Sequence, residues 1–70
     1  MNLNEHDVVR ATRRLSENVP AGSRGTIVLI YRSPNLAYEV EFTKGIETLD
    51  LLTVAPEDIE LANPVKKTSQ

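Results

Sequence analysis

Gly25-Thr26-Ile27-Val28-Leu29-Ile30-Tyr31-Arg32-Ser33-Pro34-Asn35-Leu36-Ala37-Tyr38-Glu39-Val40-Glu41-Phe42 reads as a strand, a turn and a second strand. In its second half Tyr38, Val40 and Phe42 alternate with Glu39 and Glu41. A period of two, apolar on one side and charged on the other, is the pattern of a half-buried antiparallel strand. The first half, Thr26 to Arg32, is apolar and β-branched almost throughout. That predicts a strand with both faces partly covered, as in the middle of a small barrel. Between the two, proline fixes φ and asparagine tolerates the left-handed region, so Ser33-Pro34-Asn35 predicts a turn. A lone hairpin is marginal in water, so the flanking chain must supply further strands.

On the N-terminal side, Asp7 to Arg14 reads as a strand with Val9 and Ala11 inward, Arg10, Thr12 and Arg14 outward, and Val8 over an edge. Leu15 to Arg24 holds Pro20, Gly22 and small polar residues; it predicts a long loop pinned by Leu15 and Val19, with a glycine at positive φ near its end. On the C-terminal side, Thr43-Lys44-Gly45 predicts a turn with Gly45 left-handed. Ile46 to Val54 predicts a strand. Placing Asp50 outward puts Leu49 and Leu51 inward and leaves Leu52 and Val54 on the other side, to be covered by a loop or a partner. Pro56-Glu57-Asp58-Ile59 has proline at a first helical position and acids in the first turn, the pattern of one 3₁₀ turn. Ile59 and Leu61 start a last short strand that Asn63-Pro64 ends. The expected fold is all-β: a small five-stranded SH3-like barrel over residues 7–62, with a long first loop and a 3₁₀ turn before the last strand, and flexible termini at 1–6 and 63–70. An OB-fold is the runner-up.

The chain has 70 residues and no cysteine. One small domain buries only about 60% of its unfolded surface, and disulfides, thiol nucleophiles and cysteine-type zinc sites are excluded. No run approaches the ~20 apolar residues of a membrane span, and the first residues lack the basic and apolar regions of a secretion signal. A cytoplasmic location is the expectation. The net charge is −2. Residues 1–35 carry Arg10, Arg13, Arg14, Arg24 and Arg32 against Glu5, Asp7 and Glu17, a balance of +2; residues 36–70 carry three lysines against seven acids, a balance of −4. Such asymmetry marks a two-faced surface, unless the fold mixes both halves and the charges only solvate it.

Asp7-Val8-Val9, followed by Val19-Pro20-Ala21-Gly22-Ser23-Arg24-Gly25-Thr26-Ile27-Val28, resembles the opening of several SH3-like families, in which a P-x-G-x-x-G-T-hydrophobic turn joins the first two strands. With Ala37 to Phe42, Glu47-Thr48-Leu49 and Val54 to Ile59, the span 7–62 is similar to a bacterial family of roughly 60-residue stand-alone proteins catalogued as a domain of unknown function. The resemblance implies the fold. It also implies a gene beside that of another small protein, as in toxin–antitoxin or immunity pairs.

Little in the chain points to catalysis. His6 is the only histidine, and in Glu5-His6-Asp7 neighbouring strand residues would point to opposite faces, so no metal site is expected. No Ser/His/Asp set is brought together. Glu39 and Glu41 lie about 7 Å apart along one strand face, where alternating carboxylates are usually solubilising. Gly22-Ser23-Arg24-Gly25 runs into a strand and lacks the helix of a phosphate loop. The expectation is no enzyme, no metal and no cofactor.

Binding is the stronger reading. The long first loop and its neighbours present Arg13, Arg14, Glu17, Asn18, Arg24 and Arg32, with Tyr31 either beside them or packed in the core. Arg13, Arg14, Arg24, Tyr31 and Arg32 are the candidate partner-contacting residues, because arginine and tyrosine anchor interfaces. With three aromatic residues in all, a polyproline groove is not expected. The first function read from the chain is a module that binds, and neutralises, another protein encoded nearby. The alternative is a nucleic-acid-binding module using the arginine-rich loop face, opposed by the acidic total and the few aromatics. Self-association through an open strand edge is a third.

Overall fold

The structure is a computed structural model that describes residues 3–62. Five strands and one short turn follow in order: β1 (Val8–Ala11), β2 (Arg24–Tyr31), β3 (Ala37–Lys44), β4 (Glu47–Val54), a 3₁₀ turn (Pro56–Asp58) and β5 (Ile59–Leu61). All neighbours pair antiparallel, in the spatial order β4-β3-β2-β1-β5. The all-β architecture, the long first loop and the 3₁₀ turn before the last strand are therefore as expected. Closure is not: β4 and β5 are the two outer strands and do not pair with each other, so the sheet is open.

One face of this sheet holds the core. Val9, Val19, Ile27, Val40 and Phe42 are fully buried, with Leu3, Ala11, Tyr38, Val54 and Ile59 around them. The alternation in β3 is followed residue by residue, with Tyr38, Val40 and Phe42 inward. Leu15 and Val19 pin the first loop as expected: Val19 is in the core and Leu15 packs against it. The loop folds into a tight turn in which the Leu15 N–H donates to the Val19 carbonyl at 2.9 Å and the Val19 N–H donates to the Ser16 carbonyl at 3.1 Å. Gly22 (φ 87°) and Gly45 (φ 62°) take the left-handed conformation, which costs glycine nothing. Asn35 does not take it; among the described residues the one non-glycine residue at positive φ is His6. Residues 3–6, read above as part of a frayed lead, are held: Leu3 is buried, and the His6 N–H donates to the Ile27 carbonyl at 2.7 Å. The C-terminal tail, 63–70, lies outside the described residues.

Two bulges change what the alternation predicts. The β2–β3 register slips between Ile27 and Leu29, leaving Val28 unpaired; the β3–β4 register slips between Phe42 and Thr43, leaving Leu49 unpaired. An extra residue on one strand inverts the facing of everything beyond it. In β4 Leu49 packs against the core as expected, and beyond it the expected parity is corrected. Asp50 stands opposite Phe42, Leu52 opposite Val40 and Val54 opposite Tyr38, so all three lie on the core side. Leu51 points away and is 53% exposed. Asp50 is tolerated there because it sits at the rim, where the Ser16 hydroxyl donates to Oδ2 at 3.1 Å and the Leu51 N–H donates to Oδ1 at 3.0 Å. The reading of β2 as covered on both faces is also corrected. Val28, Leu29 and Tyr31 are exposed, because a single sheet has one core and no described element packs on its outer side.

Candidate functional site

The candidate arginines are placed in three different situations. Arg13 braces the 3₁₀ turn. Its Nε donates to Asp58 Oδ1 at 3.1 Å, and its Nη2 lies 3.0 Å from the same oxygen. Asp58 is buried, and its second oxygen accepts the Ala55 N–H at 3.0 Å. The chain beside Arg13 is sewn to the same turn: the Thr12 N–H donates to the Asp58 carbonyl at 2.9 Å and the Thr12 hydroxyl to the Glu57 carbonyl at 2.8 Å. Arg14 turns back on the first loop and donates to the carbonyls of Ser16 and Glu17 at 3.2 and 3.0 Å. Arg10, which sequence reasoning placed only as outward, pairs with Glu60 across β1 and β5 at 3.0 Å. These two ion pairs join the basic and acidic halves of the chain, so part of the charge asymmetry is neutralised within the fold.

Arg24, Lys44 and Arg32 are different. Among the described residues no carboxylate lies within ion-pair distance of any of them. Arg24 opens β2 and Arg32 follows its last residue, and the eight residues of the strand span roughly 25 Å. The five candidates are thus not one patch. Arg13 and Arg14 belong to the loop and the 3₁₀ turn, Arg24 to one end of β2, and Tyr31 with Arg32 to the other.

What does join Arg24 to Tyr31 is the outer face of β2. Strand pairing puts Arg24 opposite Thr43, Thr26 opposite Glu41, Leu29 opposite Glu39 and Tyr31 opposite Ala37, all on the side away from the core. Val8 beside Thr26, and Leu51 beyond Glu41, extend the same face. Val8, Leu29, Tyr31 and Leu51 are each at least 40% exposed. The two glutamates are tied down within it. The Tyr31 hydroxyl donates to Glu39 at 2.6 Å and the Thr48 hydroxyl to Glu41 at 3.0 Å. Because its proton is held by Glu39, Tyr31 ionises above the usual phenol range.

A pocket of about 420 Å³ opens beside Arg24. The first loop forms one wall with Pro20, Gly22 and Ser23; the β3–β4 turn forms the other with Lys44 and Gly45; Thr43 and Leu49 complete it. Lys44 was read from the sequence only as a turn residue. Register sets the neighbours: once Gly25 pairs with Phe42, Arg24 falls opposite Thr43, and Lys44 follows at the next position of β3, paired with Glu47 of β4. His6, Glu5 and Asp7 lie elsewhere, in a turn where Asp7 accepts the Asn4 N–H at 2.8 Å. Among the described residues no three His, Asp or Glu side chains gather as metal ligands, and no helix is long and apolar enough to cross a membrane.

The open antiparallel sheet thus leaves Val8, Leu29, Tyr31 and Leu51 exposed on its outer face. The chain belongs to the family described as Domain of unknown function (DUF4926), which matches residues 5–61. No curated protein and no solved structure matches it.

Proposed function

We propose that this domain is a non-enzymatic protein-interaction module whose sheet is an opened SH3-like barrel. It binds another protein, encoded nearby, and neutralises it in the manner of an antitoxin or immunity protein. The observation that carries the binding reading is the outer face of β2 and its neighbours. Val8, Leu29, Tyr31 and Leu51 are exposed there, framed by Arg24 and by Arg32 just past the strand. Several large apolar side chains exposed on one face of a small domain, here interleaved with Thr26, Glu39 and Glu41, support a site of association, and arginine and tyrosine at its margins are the residue types that anchor interfaces. The order of elements and the resemblance of the Pro20-to-Val28 turn support the SH3-like assignment. The neutralising role rests on the resemblance alone.

The test is co-expression of the tagged chain with its flanking genes, followed by identification of what elutes. The expected result is one stoichiometric protein that is lost from Leu29→Glu and from Arg24→Glu, both at exposed positions, with the melting temperature unchanged. A homo-oligomer with no other protein, or a partner indifferent to both substitutions, overturns the reading. Nucleic-acid binding is favoured by one observation, the cations beside the pocket that lack a carboxylate partner. Co-elution of nucleic acid, with affinity that falls steeply as salt rises, would put it first.

A further inference from the structure

The free edge of β4 offers a second contact, apart from the outer face of β2. We infer that it takes up an extended, basic segment of a protein partner, which pairs with β4 as a sixth strand. This rests on the reading of the domain as a protein-interaction module and adds how the partner is held and what charge it carries.

β4 and β5 are the outer strands of the sheet, and an outer strand presents a row of unpaired backbone groups. β5 has three residues, too few to template a neighbour. β4 has eight, with no proline among them. Its hydrogen bonds show which groups are open. The Leu51 N–H donates to Asp50 Oδ1 and the Ala55 N–H to Asp58 Oδ2, each at 3.0 Å, so both point away from β3. Backbone direction alternates along an antiparallel strand, and Thr53, midway between them, points the same way. Among the described residues neither the N–H nor the C=O of Thr53, nor the C=O of Leu51, meets a backbone partner on that side. The first loop reaches this strand at Asp50, where the Ser16 hydroxyl donates to Oδ2 at 3.1 Å, and makes no backbone hydrogen bond to it. These main-chain groups suit an added strand, a mode in which backbone bonds supply affinity and alternate side chains supply specificity. Beside them Leu51, 53% exposed, offers apolar contact to one residue of that strand.

Charge selects the occupant. β3 and β4 carry Glu39, Glu41, Glu47 and Asp50 against one cation, Lys44. Among the described residues none of these four carboxylates is in an ion pair. Glu39, Glu41 and Asp50 are hydrogen-bonded by neutral groups, the hydroxyls of Tyr31, Thr48 and Ser16 and the Leu51 N–H, which leave their negative charge in place. Asp58 and Glu60, by contrast, are each matched by an arginine. A basic segment laid along β4 meets complementary charge, and an acidic one is repelled. A second copy of the chain pairing through the same edge would bring Glu47 and Asp50 of both strands together, which like charge opposes. Leu51 faces outward and Asp50 toward the core side. The segment that fits therefore has an apolar residue beside Leu51 and a lysine or arginine near Glu47 and Asp50.

The experiment follows amide shifts and amide hydrogen exchange of the isotopically labelled full chain by NMR, with three probes. They are a capped hexapeptide of alternating lysine and valine, its glutamate–valine counterpart, and the lysine peptide methylated at every backbone nitrogen. In the free chain the Thr53 amide should exchange faster than those of Leu52 and Val54, which bond to β3. The lysine peptide should slow Thr53 exchange and shift Leu51 to Thr53 saturably, and the other two should not. Glu47→Lys, at an exposed position, should weaken that response roughly two- to fivefold, the range of one exposed ion pair. Thr53→Pro removes an N–H that makes no ladder bond, which an edge strand tolerates, and should abolish the response; unchanged shifts in β1 and β2 verify its fold. If that variant does not fold, Glu47→Lys and the methylated peptide carry the test. No protection of Thr53 by the lysine peptide overturns the inference, as does equal protection by the methylated or the glutamate peptide. Protection of Thr53 that rises with protein concentration alone overturns it in favour of a second copy. If the lysine peptide binds while co-expression yields no partner, the proposed function fails and the edge stands. If a partner co-purifies equally with Thr53→Pro and with Glu47→Lys, the edge assignment fails and the proposed function stands.

Discussion

Replacing Gly25 by alanine tests the central packing of the sheet. Gly25 lies in β2 directly opposite Phe42, with its backbone against β3. A Cβ there would sit 2.6 Å from Val40 Cγ1, 2.9 Å from the Glu41 carbonyl oxygen and 2.9 Å from Phe42 Cδ1. Attractive contact between carbons begins near 3.5 Å, so the closest pair overlaps by roughly 1 Å. None of the three neighbours can yield cheaply. Val40 and Phe42 are fully buried; valine is stiff at χ1; the carbonyl belongs to the backbone of β3. Relief requires β2 and β3 to separate, which loosens both the strand pairing and the core between them. Overpacking of this kind costs about 1–3 kcal/mol, and a clash with backbone places it at the upper end. A domain of this length has roughly 4–10 kcal/mol in total, and each kcal/mol moves its melting temperature by about 4–8 °C. Gly25→Ala should therefore melt roughly 10–20 °C lower by far-UV circular dichroism, with an unchanged urea m-value if unfolding stays two-state. Adding Val40→Ala removes the closest contact, so the double variant should lose less than the sum of the single losses. A Gly25→Ala protein that melts within about 3 °C of the parent would refute the argument.

Asp58→Ala should cost about 2 kcal/mol, since it strips a buried acceptor from the Ala55 N–H and from Arg13. Arg13→Ala should cost under ~1 kcal/mol, because the arginine side chain is 64% exposed; equal losses in urea denaturation would contradict that ranking. His6→Gly should raise the urea midpoint slightly by removing a left-handed residue (φ 74°), worth about 1 kcal/mol before the entropy of the unfolded glycine is counted, whereas His6→Val should lower it. Tyr31 ionises above the usual phenol range chiefly because its hydroxyl donates to Glu39. Its folded value exceeds its unfolded one, so the stability it contributes is complete below about pH 10 and is lost as pH rises through the folded value. Glu39→Gln should return the Tyr31 ring titration, followed by NMR, toward the ordinary phenol value; no movement would break the link.

Period-two alternation in Tyr38 to Phe42 was enough to place β3 and assign its faces, because side-chain direction along an unbroken strand is a local property. The turn at Gly45, the pinned first loop and the 3₁₀ turn at Pro56 were legible for the same reason: each follows from the backbone limits of a few adjacent residues. The candidate contacts were legible only as residue types. Arg13, Arg14 and Arg24 look alike in the sequence, and what separates them is whether a long-range partner waits in the fold: Asp58 is 45 residues from Arg13. The same limit explains β4. Asp50 looked like an outward residue because charge usually marks the solvent side, and no short-range signal announced the bulge at Leu49 that turns it toward Ser16. The pocket is further still from local reading, since Pro20, Arg24, Lys44 and Leu49 meet only through the β2–β3 and β3–β4 registers and the folding of the first loop. By itself the sequence determined that the chain makes antiparallel strands, where most of them run and which residues of β3 are buried, since these depend on neighbours along the chain. The tertiary structure alone decided that the sheet stays open, which apolar residues are left outside and which cations remain without a partner, because those depend on strand register and on contacts between distant segments.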